Sequence, residues 1–417
     1  MFEATTTISL IFWYAVQAYI LGACLYAITP ALIFLLFSAR IKRLFNFQAR
    51  SSMAVRKTHF ILLIPAHNEA QVLPALLASI QQLDYPADQF EAVVIADNCT
   101  DATASLAHQA AVTCLERFTL APSDKTQALH HAAQYLSMRA PILEAVICII
   151  DADCVLAPDY LIELDKQYAQ PDAPLVVQSY RSVSNAFDSD VTVLDAAAEA
   201  LRQWVVAGPR NLLGQSNFIF GLGCSMREAI FSELMALPDT SLAEDKEWKV
   251  YLTKHNIRVA HCPTARLTYA VVTDAQAFQK QRKRWLAGYY QSLRTHGVGM
   301  LVRGLRNANL AQLDLAGDLL QPPRSVLVLG TVFFGLLDGW FPDFTLLSSW
   351  WWLGLTFAFW LYGSIGMRLI GAQPRHYLLL ISGFQLLGMV IKAITGVVLG
   401  RGVAAWDATR KETTKVG

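Results

Sequence analysis

The stretch Ala145-Val146-Ile147-Cys148-Ile149-Ile150-Asp151-Ala152-Asp153 decides how this chain is read. A short all-apolar run rich in β-branched residues reads as a buried parallel strand. In open α/β sheets, ligands bind at the carboxyl ends of such strands. Two carboxylates one residue apart at that end suit a hard divalent cation carrying phosphate oxygens. A capped strand end or a solvated loop uses the same residues, so the neighbouring strands have to decide between the readings.

Working outward, His59 to Pro65 reads as a first strand, and Asn68 and Glu69 open a helix to about Leu83. Glu91 to Ala96 is a second strand ending at Asp97; Asp101 to Ala110 is a helix, and Asp124 caps another to about Met138. Strands alternating with helices imply right-handed crossovers and a mostly parallel sheet. There is no GxxxxGK[ST] loop and no GxGxxG after the first strand. Phosphate must be held in another way, and a metal on the acidic pair would do so. The first two strand ends are polar as well: Pro65-Ala66-His67-Asn68-Glu69 and Asp97-Asn98-Cys99-Thr100-Asp101. Three successive polar ends at the ligand-binding edge favour a site over chance capping. Asp97 suits a nucleobase N–H or a ribose hydroxyl, or caps a turn. His67 reads as a loop residue rather than a metal ligand.

Further on, Phe220-Gly221-Leu222-Gly223-Cys224 allows backbone to approach a ligand closely, or makes a tight turn. Ser241-Leu242-Ala243-Glu244-Asp245 opens a helix, as dipole-favoured acids or as a general base. Gln281-Arg282-Lys283-Arg284-Trp285 lies on an amphipathic stretch from about Ala275 to Leu293. Arg282 and Lys283 fit a basic helix on anionic lipid. Arg284 and Trp285 fit a cation for a diphosphate with a stacking wall.

Hydrophobic residues make up 54% of the 417-residue chain and charged residues 16%, less charge than a soluble protein of this length carries. The net charge of +1 gives no reason to expect nucleic acid. Seven cysteines without a CxxC pair, three of them beside candidate site residues, point to a reduced compartment and against a disulfide framework or zinc site. Residues from about Ser9 to Phe37 are long and apolar enough to span a bilayer, and with no basic residues ahead of them they do not read as a signal peptide. Arg40, Lys42 and Arg43 then place the following domain in the cytoplasm. Two further spans are expected, Val326 to Trp340 and Leu346 to Ile370. A last apolar run, Tyr377 to Leu399, would put Lys392 near mid-membrane at a cost of about 2.5–3.5 kcal/mol, so an interfacial helix is expected there, with a fourth span as the alternative.

Asp97, Asp151-Ala152-Asp153, Glu244-Asp245 and the Gln-x-x-Arg-Trp at 281–285, in that order and between apolar segments, resemble the membrane-embedded family-2 glycosyltransferases. These are inverting GT-A enzymes that include cellulose, hyaluronan and poly-N-acetylglucosamine synthases. The likeness runs from about Phe60 to Trp285. Trp406, Thr409 and Lys411 are similar to a Trp-x-x-Thr-x-basic element after the last interfacial helix in relatives.

The resemblance implies an α/β fold: a GT-A nucleotide-binding domain with a mostly parallel sheet, flanked by transmembrane and interfacial helices. Its divisions are 1–43 (transmembrane helix and basic flank), 51–275 (cytoplasmic GT-A domain), 276–321 (amphipathic interface with QxxRW), 322–372 (two transmembrane helices) and 373–417 (interfacial or third transmembrane helix of this half, and cytoplasmic tail). Glu69 and Asp97 would contact the base and ribose, Lys125 and Asp151 the nucleotide-sugar. Asp153, with Asp151, would hold Mg2+ or Mn2+. Asp245, with Glu244, would deprotonate the acceptor, and Gln281, Arg284 and Trp285 would sit by the diphosphate and the acceptor's terminal sugar. The chain departs from the pattern at Asn98, where relatives often have a second Asp, at Thr126 after Lys125, and at Ala243 in place of Thr. These departures remove no catalytic carboxylate but leave the donor sugar open.

The function expected is metal-dependent transfer of a sugar, with inversion, from a nucleotide-sugar of the UDP class to a growing polysaccharide of the cell envelope or exterior. The setting expected is the bacterial inner membrane with a cytoplasmic catalytic domain. The partners are the donor, a polysaccharide or lipid-linked acceptor and membrane lipid, with no nucleic acid; export or accessory subunits are left open. A close alternative adds one sugar to a membrane lipid. A transporter or non-catalytic scaffold would not need the ordered carboxylates, and a transporter would need a polar path through the spans.

Overall fold

The computed structural model describes residues 2–45, 58–120, 124–140, 142, 144–170, 172–238 and 243–382. Two helices come first, α1 (Phe2–Leu36) and α2 (Ser38–Phe45). The sheet has eight strands: β1 (Phe60–Ala66), β2 (Phe90–Asp97), β3 (Thr113–Arg117), β4 (Val146–Ile149), β5 (Cys154–Leu156), β6 (Val176–Val183), β7 (Cys224–Arg227) and β8 (Val259–Tyr269). Their order is β3-β2-β1-β4-β7-β6-β8-β5. The half β3-β2-β1-β4 is parallel throughout, and β6 and β8 are parallel; β7 runs against both its neighbours and β5 against β8. The expected α/β sheet is therefore present, with its parallel half where the sequence placed it. Chain order reverses direction at β1, which has β2 on one side and β4 on the other. A crevice opens at the carboxyl ends of strands at such a switch point.

Helices α3 (Leu73–Gln81), α4 (Thr103–Gln109), α5 (Lys125–Ser137), α6 (Tyr160–Tyr168), α7 (Asp190–Ala200), α8 (Gly208–Leu212), α9 (Glu228–Met235) and α10 (Glu244–Lys254) join the strands. Side chains alternate across β1, so Phe60, Leu62 and Ile64 meet α3, α4 and α6 on one face of the sheet. Ile61 and Leu63 meet Leu129 of α5, Phe231 of α9 and Trp248 of α10 on the other. Both faces of β1 are dry, which is why its sequence shows no polar alternation. The first helix after β1 begins at Leu73, not at Asn68. Asn68 takes a left-handed φ of 56° and its side-chain oxygen accepts from Thr100 N–H at 2.7 Å, which holds the segment as a loop until Pro74 sets the first turn.

After β8 come α11 (Ala275–Ser292), α12 (Val298–Arg306), α13 (Leu310–Leu320), α14 (Arg324–Trp340) and α15 (Ser349–Leu369). Among the described residues, one helix segment is by itself long and apolar enough to cross a membrane: Leu10–Leu36, 27 residues with a mean hydropathy of 2.1. The pair α13 and α14 meets that measure jointly but is bent by 71° at Pro322-Pro323, where two prolines remove helix hydrogen bonds. Helices α1, α14 and α15 pack around Cys24, Leu327, Phe334 and Trp352. The expected apolar run beyond Ser382, with Lys392, Trp406, Thr409 and Lys411, lies outside the described residues, as do Ser241 and Leu242.

The apolar helices join the α/β domain through α15 and α7. Gly366 lies so close to α7 that an added Cβ would sit 2.8 Å from the Ala197 carbonyl oxygen and 2.9 Å from the Leu201 side chain. Helix propensity alone favours Gly→Ala by about 1 kcal/mol, whereas forced overpacking costs about 1–3 kcal/mol. Gly366→Ala is expected to lower the thermal unfolding midpoint of the detergent-solubilised protein; an unchanged or raised midpoint contradicts this packing.

Candidate active site

The loops after β1 and β2 are laced together. Backbone N–H groups of Glu69 and Ala70 donate to Thr103 Oγ1 at 2.9 Å and Asp101 Oδ2 at 3.1 Å. His67 Nδ1 lies 2.7 Å from the Asp97 carbonyl oxygen, which makes it a loop brace. Asp97 is buried at the end of β2, and Arg117, the last residue of β3, donates to its Oδ1 at 2.6 Å. Asn98, with a left-handed φ of 51°, accepts from Thr119 N–H at 2.7 Å through its side chain.

Beyond β4, the acidic pair meets a cation. Lys125 is the first residue of α5, fixed there because Asp124 caps the helix by accepting from Gln127 N–H at 2.8 Å. Its ammonium donates to Asp151 Oδ1 and, at 2.5 Å, to the Gly221 carbonyl oxygen. Burial works against that charge, but Asp151 and Glu244 more than offset it and raise the lysine above its usual value. Asp153, half-buried, lies two residues beyond Asp151. Among the described residues no group of three His, Cys, Asp or Glu side chains stands ready to hold a metal.

Glu244 and Asp245 open α10 across from this lysine. An added Cβ on Gly221 would lie 2.8 Å from Glu244 Oε1 and 3.4 Å from Lys125 Nζ, so the glycine gives these two side-chain ends room to approach its backbone. Lys249 anchors the helix by donating to Ser216 Oγ and the Asn217 carbonyl oxygen, both at 2.6 Å. Burial pushes Glu244 up to about 7; repulsion from Asp245 adds to it, and Lys125 and Arg284 oppose it. Burial raises Asp245 too, with Lys246, Arg181 and Lys125 among the cations holding it back. Gln281, Arg284 and Trp285 all lie on α11, Trp285 with 42% of its surface exposed. The charge of Arg284 is felt at Glu244.

A family model described as "Glycosyltransferase like family 2" matches residues 58–288, more than half of the chain. The chain belongs to this family. It is 26% identical over 238 residues to a beta-monoglucosyldiacylglycerol synthase of Nostoc sp., covering 55% of this chain and 48% of that protein. A synthase of the same name from Synechocystis sp. is 24% identical over 241 residues, covering 55% and 47%. The chain thus spans about half the length of the curated relatives it matches. A mannosyltransferase from Pyrobaculum calidifontis, solved in complex with GDP-Man and Mn2+, superposes with a TM-score of 0.50 at 17% identity over 93% of this chain and 99% of that one. At that identity the likeness speaks for the GT-A fold.

In this family-2 glycosyltransferase, Arg282 does not face lipid as its place on a basic helix suggested. It donates to Asp195 of α7 and lies 4.7 Å from the ring centroids of both Phe278 and Trp285. Sequence reading also passed over the buried network next to Asp195. Glu199 accepts from Arg181 at 2.8 Å, Arg202 at 2.6 Å and Gln203 at 2.8 Å, and Gln203 Oε1 meets His261 Nε2 at 2.8 Å. Burial raises Glu199, but Arg181 and Arg202 more than offset that and hold it down to about 2, from an ordinary 4.5. Leu201–Ala207, which follows it, is a π-helical stretch, a local widening often found at functional sites. No residue pattern announces that seven-residue widening, so the sequence carried no signal for this network.

Two outcomes follow. Because burial and mutual repulsion raise the Glu244–Asp245 pair, kcat/KM should climb through an acid limb centred near 7 and level off above it. Lys125→Met, which removes a cation that lowers both groups, should move that limb alkaline; a limb in the ordinary carboxylate range contradicts the assignment. Glu199→Ala leaves the buried Arg181 without its carboxylate, and removes the partner of the half-buried Arg202; it should cost about 3–5 kcal/mol of stability, read by denaturant unfolding. Since the Glu199 carboxyl is held down, its contribution is present above about 4.5 and lost as pH falls towards about 2.

Proposed function

We propose that this enzyme transfers a single sugar from a nucleotide-sugar to a hydroxyl of a membrane lipid, with inversion. The observation that carries the transferase reading is the meeting of Lys125, Asp151 and Glu244 beyond the end of β4, with Asp245 next to Glu244 and Asp97 at the end of β2 along the same sheet edge. Asp97, with Glu69 in the adjoining loop, takes the base and ribose. Lys125 and Arg284 face the diphosphate, whose charge builds as the anomeric bond breaks. Asp245 accepts the proton of the attacking hydroxyl, with Glu244 ionised beside it. A base opposite the leaving group makes one displacement, hence inversion. Gln281 and Trp285 border the acceptor.

The donor set fits a hard divalent cation. Asp151 and Asp153 supply carboxylate oxygens only, and Mg2+ is commonly held by one or two carboxylates plus substrate phosphates rather than by a complete protein cage. Mg2+ or Mn2+ there would neutralise the departing diphosphate.

The lipid acceptor is favoured by the names of the Nostoc and Synechocystis relatives, which make a glucosyl lipid. A bilayer setting is supported by α1 and by the turn between α14 and α15. Trp340, Trp350 and Trp351 are exposed at that turn, as in an interfacial aromatic belt. Trp13 and Gln17 of α1 donate to the Phe344 carbonyl oxygen at 2.8 and 2.9 Å, so the start of α1 lies at the same end. Lys42 and Arg43 of α2 follow its other end, with the α/β domain. Polysaccharide extension is the second reading, carried by the ordered QxxRW set.

The purified full chain should be offered a panel of UDP- and GDP-sugars with diacylglycerol, reading nucleotide release and product size together. A single glycolipid is expected; a polymer ladder would select the second reading. Asp245→Asn should lose about 10²–10⁴-fold in transfer and keep nucleotide binding, and loss of nucleotide binding would count against its role as base. Chelation should abolish activity and Mg2+ or Mn2+ restore it; activity that survives chelation refutes a metal on Asp153.

A further inference from the structure

A cavity of about 290 Å³ lies beside the catalytic cleft rather than in it. Its walls come from the end of β6 and the loop to Phe187, from α7, and from Leu369 and Ile370 at the end of α15. It therefore opens where the α/β domain meets an apolar helix. Ser182 and Ser184 give its wall hydroxyls, Val183 and Ala196 apolar surface. Phe187, 53% exposed, stands on the rim against the His376 ring, 5.7 Å between centroids.

Its inner wall is Arg181. The residue is 6% exposed, and its Nη2 donates to Glu199, yet its Nε is buried with no hydrogen-bond partner. A buried donor left unmade costs about 1–3 kcal/mol, so the atom calls for an acceptor. The guanidinium also lies 4.0 Å from the Phe220 ring centroid, next to Gly221, and its charge is felt at Asp245. The wall of this cavity is thus electrostatically coupled to the residue assigned as base. The two charged groups on its wall, Arg181 and Glu199, are paired with each other, which favours a neutral polar guest over an anion.

We propose that this cavity seats the head of the acceptor lipid, a neutral lipid whose ester oxygen accepts from Arg181 Nε, which leaves its free hydroxyl for Asp245, while the chains leave over Leu369 and Ile370. The volume suits a glycerol-sized head with the first carbons of its chains, close to the lower end for small-molecule sites. The proposal rests on the lipid-acceptor reading above and locates it.

Equilibrium binding of dioctanoylglycerol to the full chain in detergent, with no donor present, tests it. Ser184→Trp puts an indole into the mouth from an exposed position, and Ile370→Trp blocks the apolar wall from the other side. UDP binding, measured alongside, identifies the variant that is folded. At least tenfold weaker binding of dioctanoylglycerol by a folded variant is expected, with a matching rise in its KM. Equal binding by wild type and both variants, no binding by wild type, or equal affinity for dioctanoyl phosphatidate overturns the cavity. A wild type that binds dioctanoylglycerol but releases no nucleotide on any donor overturns the lipid-acceptor function instead, since binding at the cavity is read without the donor.

Discussion

The ammonium of Lys125 reaches from the first residue of α5 to the Asp151 carboxylate and the Gly221 carbonyl oxygen, with Glu244 beside them, and the site depends on that meeting. Asp151 comes from the loop after β4, and Glu244 and Asp245 from the first turn of α10. Brought together in a buried place without a cation they would repel and take up protons. The lysine allows them to stay close, and it can do so because Asp124 fixes the helix start that carries it. Gly221 completes the arrangement by having no side chain. The same contact sets the proton inventory: burial keeps the Glu244–Asp245 pair high, and Lys125 keeps it within reach of neutral pH.

The other side of the cleft is built differently. There α7 carries Asp195 and Glu199, which hold Arg282 from α11, Arg202 from the π-helical stretch and Arg181 from β6. A buried cluster of this kind adds little net stability over apolar packing, but removing one member is costly. Its value is positional. It fixes Arg181 on the cavity wall, and through Gly366 the same helix is locked to α15. The apolar helices and the catalytic sheet are thereby coupled through α7.

Much of this edge of the sheet could be read from the chain because its signals are local. The β1 and β4 runs are continuously apolar, and their ends carry the polar residues at once; Asp124 and the acids at 244 and 245 announce helix starts. Where the reading slipped, long-range hydrogen bonds had overridden local pattern. Asn68 and Glu69 look like a helix opening but are tied to Thr100 and Thr103 across the next loop. Arg282 looks like a lipid-facing cation until Asp195, 87 residues away, claims it. Arg117 and Arg181 carry no sequence signal, because their partners Asp97 and Glu199 are neighbours only in the fold.

The central claim is that one base, Asp245, acts from the face opposite the leaving diphosphate. Proton NMR of the anomeric signal of the product made from an α-linked nucleotide-sugar tests it most directly. The account predicts a β-linked product alone; an α-linked product would require a second displacement or a different attacking face, and would contradict it.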